Sequence, residues 1–269
     1  MLVAVLRMGA AGAAIATVGA QAISVCLSLL ILRRRELSFT LRRQDIRVDK
    51  GIFLSITRFG LPLALQGLLI GFSFLAILMI VNSISVITSA GLGVANRIIA
   101  FIMVVPSAFG QAMAAFVAQN AGARKFDRAT KALRYGITVS LACGVVMCLI
   151  ALFLGGFLAG LFTRDPEVVI NAHSYLKAYA IDCMLTPFLF CFIGFFNGLG
   201  YTKFTMAQGI IGAFCVRVPA SYFLSKVVPV TLFKIGLATP MSTSLQIILC
   251  FGFLYYVKTR KWTAEDAGI

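Results

Sequence analysis

The sequence predicts an all-α integral membrane protein with about seven transmembrane helices, and three observations predict it. Hydrophobic residues make up 60% of the chain and charged residues only 12%, against about 25% charged in a soluble domain. The apolar residues run in unbroken stretches long enough to cross roughly 30 Å of hydrocarbon as helices. Those stretches lack the short, period-two alternation of a membrane β-barrel. A formal charge of +15 would point to nucleic acid in a soluble chain. Here the basic residues sit in short connections between apolar runs, so they read as topology signals and lipid-headgroup contacts, and no nucleic-acid partner is expected.

Seven segments qualify in order: 9–32, 54–81, 92–117, 133–158, 174–197, 204–228 and 235–257. The first lacks the basic start of a secretory leader and runs on to Leu32 before Arg33, Arg34 and Arg35 stop it, so it reads as a membrane helix. The connection that follows, "RRRELSFTLRRQDIRVDKG", is expected to hold a basic helix lying in the membrane interface. The third and fourth segments meet at "VAQNAGARKFDRATKA", a short basic turn. There Gly122 is expected to close one helix in the left-handed conformation and Asp127 to cap the next. Six prolines, Pro62, Pro106, Pro187, Pro219, Pro229 and Pro240, fall in or at the ends of helices. Each interior one removes a helical hydrogen bond and shapes or hinges its helix. The seven cysteines lie mostly within apolar runs, without metal or redox spacing, and read as small core residues.

Sixteen Lys and Arg residues fall in the connections on one side of this arrangement and four on the other. By the positive-inside rule the basic turns and the C-terminus face the cytoplasm. The first and seventh segments then run in the same direction. They also share a leading Gly, small residues, and a hydroxyl four residues before a Gln, Thr17/Gln21 and Ser242/Gln246. This pattern suggests the last helices of two parallel repeats; chance likeness of two apolar helices is the alternative. On the repeat reading the chain is one six-helix lobe plus one extra N-terminal helix.

Asp182, in "YAIDCMLTPF", is the only acidic residue well inside an apolar segment. Nine helical steps put it about 13 Å deep. An ionisable group at that depth lines a cavity or ion path, or else forms a static pair with a basic neighbour. Arg217, in "CVRVPA", reaches a similar depth on the following segment and is the expected electrostatic partner. Arg97 and Lys177 sit toward the outer ends of their segments, where a cavity role and snorkelling to headgroups weigh about equally. Gln66, Asn96, Gln111, Asn197 and Gln208 are amide groups that could line a substrate path or simply glue helices together. Phe72, Phe74, Phe188, Phe192 and Phe195 could meet flat apolar compounds or only lipid and core. His173 is the only histidine, so neither a histidine metal cluster nor a Ser-His-Asp set can be built, and no GxxxxGK[ST] loop is present. No enzyme, metal or organic cofactor is expected.

The stretches "FGLPLALQ", "AGLGVANRI", "VPSAFGQAM", "AQNAGARKFDRA", "GFFNGLGYTKF" and "VRVP", in this order over about 51–257, resemble the C-terminal half of the multidrug and toxic compound extrusion (MATE) family. The first segment matches that family's sixth helix. The resemblance implies two six-helix lobes around a central cavity, exporting small organic, often cationic, substrates by antiport against protons or sodium. It further implies that 1–32 is the last helix of an N-terminal lobe, 33–53 an inter-lobe loop, 54–257 the C-terminal lobe and 258–269 a cytoplasmic tail. The expected protein is therefore a truncated or partial multi-pass transporter of the plasma membrane, to be completed by a complementary lobe. Some relatives carry functional carboxylates in the helix that matches Asp182; a helix-54–81 acid found in others has no counterpart near Gln66. The rival readings are a flippase of lipid-linked saccharides in the same superfamily and a non-transporting scaffold or remnant.

Overall fold

A computed structural model describes residues 9–34 and 49–259. Seven long apolar helices run through them: α1 (Gly9–Arg34), then α2 (Lys50–Asn82), α3 (Val86–Gly122), α4 (Phe126–Gly160), α5 (Pro166–Gly198), α6 (Thr202–Lys226) and α7 (Leu232–Val257). No strand occurs among the described residues. All seven predicted segments are present, most of them longer at the ends, because helix continues through flanking polar residues that hydropathy alone leaves out. The predicted interfacial helix and most of the tail lie outside the described residues.

The chain divides into two units, one ending at Phe53 and one starting at Leu54. In the first, the central window of α1 has no buried residue and is apolar around its circumference. Asp49 accepts from the backbone N–H of Gly51 and Ile52 at 2.7 and 3.1 Å, which caps the start of α2.

In the second unit, α5 is the axis. Some 67% of its membrane window is buried, against 39% or less for every other helix. Two apolar clusters are stacked along it. One gathers Ile77, Leu92, Ile98, Tyr175, Leu176 and Ile235; the other gathers Met113, Val117, Leu133, Phe192, Phe195 and Phe196. Phe204 stacks on Phe253 at 3.9 Å between ring centroids and joins α6 to α7 beside Phe196. Phe192 and Phe195 are thus core residues, while Phe72 and Phe74 remain exposed. Close crossings are made by glycine. A Cβ on Gly194 of α5 would stand 2.2 Å from the Gly110 carbonyl of α3, and one on Gly198 would stand 2.6 Å from the Ala114 carbonyl. Gly194 and Gly198 are four apart, the small-residue spacing that lets membrane helices approach backbone to backbone.

Proline accounts for some of the places where the helices depart from regularity, though the π-helical segment Ile150–Leu154 of α4 has none beside it. Without an N–H, Pro106 cannot serve the Ile102 carbonyl, and α3 breaks at Met103. Pro240 likewise frees Gly236, where the first turn of α7 ends before Ala238 resumes. Pro219 frees Cys215, inside the π-helical segment Ile211–Arg217 of α6. Pro187 frees Cys183, yet α5 continues without interruption to Gly198.

The basic turn between α3 and α4 closes differently from the expectation. Gly122 is an ordinary last helical residue, and the left-handed residue is Arg124, with φ 56°. Its N–H donates to Ala121 at 2.9 Å and that of Lys125 donates to Asn120 at 2.8 Å, the paired bonds of a Schellman closure. The turn between α5 and α6 makes the same two bonds around Gly200, with φ 85°. Asp127 does not cap α4; it lies in the first turn, where the helix begins after Lys125 without a side-chain cap. The closing position is two residues later than the glycine, so glycine content alone misplaces it. Since a side chain in the left-handed region costs roughly 1–2 kcal/mol, Arg124→Gly should raise the thermal midpoint of the purified protein. An unchanged or lower midpoint would show that Arg124 contributes contacts worth more than the backbone strain.

Candidate functional site

The boundary between the two apolar clusters is polar, and it is built around α5. Asp182 is 1% exposed. Tyr179, Asp182 and Thr186 are spaced three and four apart, so they share one face of the helix. The Thr186 hydroxyl donates to the Asp182 carbonyl oxygen at 2.6 Å and lies 3.1 Å from carboxyl Oδ2. One hydroxyl proton cannot serve both acceptors fully. Thr186 can instead accept from the carboxyl when that group carries a proton, so this contact accommodates both protonation states. Oδ1 makes no hydrogen bond. Thr243 of α7 faces the carboxyl, but its hydroxyl is engaged with its own Thr239 carbonyl at 3.1 Å.

Arg217 enters from α6 at the end of the π-helical segment, 7% exposed. Its guanidinium lies over the Phe74 ring, 4.8 Å from the centroid, and its Nη1 is 3.5 Å from Ser73 Oγ, the long limit of a hydrogen bond. Its Nε has no partner. Arg217 and Asp182 act on one another electrostatically, together with Tyr175 and Tyr179. No ion pair within bonding distance joins them. The site is therefore an acid and a base held apart in an apolar interior, each sparsely satisfied, with buried hydroxyls around the acid. In a low-dielectric interior such charges interact strongly without contact.

The other sequence candidates divide by position. Gln66 is buried against Gly209, whose added Cβ would stand 2.8 Å from Gln66 Nε2. Gln208 is buried and donates to the Thr205 carbonyl at 3.1 Å, leaving its Oε1 without a partner. Asn197 accepts from Thr205 at 2.7 Å. Gln66 thus packs between α2 and α6, and the Asn197–Thr205 bond joins α5 to α6. Gln246 lies over Gly212 in the π segment and donates to Ser242 at 3.0 Å, while Ser242 donates to the Gly212 carbonyl at 2.7 Å. Arg97, Asn96, Lys177 and Gln111 are exposed. Lys177 is beside His173, and Gln111 donates to Ser107 at 3.3 Å; none of the four joins the cluster around Asp182.

Sequence reasoning missed the hydroxyl shell of Ser73, Tyr175, Tyr179, Thr186 and Thr243. The spacing of Tyr179 and Thr186 about Asp182 was a usable signal. Ser73 and Thr243 come from other helices and leave no trace in linear spacing.

A family model described as MatE matches residues 62–223. Among curated proteins, the chain is 24% identical over 259 residues to "Probable multidrug resistance protein YoeA" of Bacillus subtilis (strain 168), covering 95% of this chain and 56% of that protein. It is 25% identical to "Probable multidrug resistance protein YpnP" of the same organism, covering 98% and 58%. The chain thus spans a little over half the length of these relatives. Among solved structures, it superposes with TM-score 0.86 and 19% identity on an outward-facing multidrug resistance MATE family transporter of the MOP superfamily, covering 97% of this chain and 59% of that one. A MOP superfamily transporter from Pyrococcus furiosus Vc1, described as having a binding pocket of reversed polarity, superposes equally well, with TM-score 0.86. At such identities these structures establish the fold.

Proposed function

From the premise that the chain belongs to the MatE, or multidrug and toxic compound extrusion, family of membrane transporters, we propose that it forms the ion-coupling half of a plasma-membrane multidrug exporter. Its substrates are small organic cations, moved outward against an inward proton or sodium gradient. The single observation that carries this reading is the buried acid of α5, set apart from the buried Arg217 and bonded so that it can hold or release a charge. An intramembrane carboxyl in this setting is a functional group by default. Alternating access in repeat-built carriers rocks one half against the other, so transport requires a complementary lobe. The excess of Lys and Arg puts the turn holding Arg124 and the C-terminus on the cytoplasmic side.

The test uses everted vesicles from cells that express the chain with the six-helix first lobe of a relative. An imposed proton or sodium gradient should drive ethidium into them, and a cysteine replacing Ala123 should react with an impermeant maleimide from the medium. Vesicles that contain both lobes and label as expected, yet move no ethidium under either gradient, would refute the exporter reading.

A further inference from the structure

The outer surface of α4 carries a graded stripe that the site around Asp182 does not use. Arg128 and Lys131 begin it, Tyr135 follows, and Val139, Ala142, Val146 and Leu149 continue it. Steps of three and four residues keep side chains on one face of a helix, and the stripe ends where the π-helical segment begins at Ile150. Tyr135 is 72% exposed, Val139 54%, Val146 52% and Leu149 48%; Arg128, Lys131 and Ala142 are exposed as well. Below the Tyr135 hydroxyl these side chains offer no polar atom. The exposed apolar surface of α4 then continues through Phe153 and Phe157, whereas exposed amides, Asn96 and Gln111, stand on α3. This face of α4 therefore meets lipid. Eleven helical steps from Tyr135 to Val146 cover about 16 Å, the depth of one leaflet of a roughly 30 Å hydrocarbon core.

The basic end of the stripe belongs to a denser cluster. Arg124, Lys125, Arg128, Lys131 and Arg134 are all exposed, and Asp127 is the one acid among them. None of these five side chains has a hydrogen-bond or ion-pair partner among the described residues. The Thr130 and Thr138 hydroxyls turn back onto the Phe126 and Arg134 carbonyls of their own helix, at 3.2 and 3.0 Å, and leave the cations uncompensated. Cations, then a tyrosine at interface depth, then an apolar face one leaflet deep, match in order the phosphate, glycerol region and acyl chain of an anionic phospholipid.

We propose that this stripe is a binding site for an anionic phospholipid, with its phosphate held by Arg128 and Lys131 at the start of α4 and one acyl chain lying along Val139, Ala142 and Val146. Charge complementarity selects an anionic headgroup over a zwitterionic one, and the apolar stripe selects a lipid over a soluble phosphate. Assignment to the inner leaflet rests on the cytoplasmic orientation proposed above for the turn holding Arg124; the site itself rests only on α4 and its turn.

The test titrates the purified 269-residue chain in detergent with phosphatidylglycerol or phosphatidylcholine and counts bound lipids by native mass spectrometry, while a photoactivatable phosphatidylglycerol maps the contact. Phosphatidylglycerol should bind in preference and crosslink to α4 between Tyr135 and Leu149. Arg128→Gln and Lys131→Gln should each weaken it by roughly fivefold, the worth of one basic side chain near an anionic surface. Arg128→Lys and Lys131→Arg should restore most of the binding. Lys203→Gln, which removes an exposed cation from the turn between α5 and α6, should leave it unchanged. Equal binding of the two lipids, an equal loss in Lys203→Gln, or crosslinks confined to other helices overturns the site. Displacement by soluble glycerol 3-phosphate at the lipid's own concentration means a free-anion site and overturns the lipid assignment. A cysteine at Ala123 that labels only from outside intact cells, with lipid binding and crosslinks as expected, overturns the leaflet and the orientation while upholding the site.

Discussion

Asp182→Asn, in vesicles carrying both lobes, is expected to reduce gradient-driven ethidium movement to the level measured without a gradient, while the amount of inserted protein stays the same. Asparagine keeps the shape and can still bond Thr186, so what is lost is the charge. Arg217 then has no counter-charge acting on it in the interior, and its present anchors, the Phe74 ring and a long contact to Ser73, are weak. The single variant should therefore also be less stable, because a buried cation without compensation is costly. The double variant Asp182→Asn with Arg217→Gln separates the two consequences. Stability should return, since both charges are gone; coupled transport should not, since the titrating group is still missing. Full coupled transport by a stable double variant would reduce the pair to a static electrostatic feature and remove Asp182 from the mechanism.

Gly194→Val should destabilise the second unit more than any surface change, by an amount at the upper end of the roughly 1–3 kcal/mol that overpacking costs. The added Cβ would meet the Gly110 carbonyl at 2.2 Å and Met113 Cβ at 3.0 Å. Neither the backbone of α3 nor that of α5 can retreat without opening the contact between them, and Gly198 repeats the constraint one turn along. Gly252→Ala is the control, because nothing lies within 4 Å of its added Cβ; there alanine's helix propensity should leave the midpoint unchanged or higher. Thermal unfolding in detergent, followed by size-exclusion monodispersity, reads both. Equal midpoints for Gly194→Val and the unmodified protein would mean that α3 and α5 do not cross as closely as described.

The spans were legible in the linear pattern because crossing a bilayer is a one-dimensional requirement. Transfer of each residue into hydrocarbon sums along the chain, and length sets whether the sum suffices. The same pattern put Asp182 deep in the fifth predicted segment, and the order of the six quoted stretches indicated the family. Proline positions also carried over, since a missing N–H acts locally, and the break at Met103 and the π segment before Pro219 lie where the freed carbonyls fall.

What the linear pattern could not hold was rotation about each helix axis. Most of these helices are apolar on nearly every side, so hydropathy does not say which face meets protein and which meets lipid. That choice was made by close contacts, Gly194 on Gly110 and Gly144 on the Cys183 carbonyl. It set Arg217 against Phe74 and Ser73 instead of in contact with Asp182. It also left Arg97, Asn96, Lys177 and Gln111 exposed. Likewise, backbone geometry put the left-handed residue at Arg124, although the glycine stands at 122. Depth and number follow from composition along one helix; partnership follows from packing between helices, which only the tertiary structure decides.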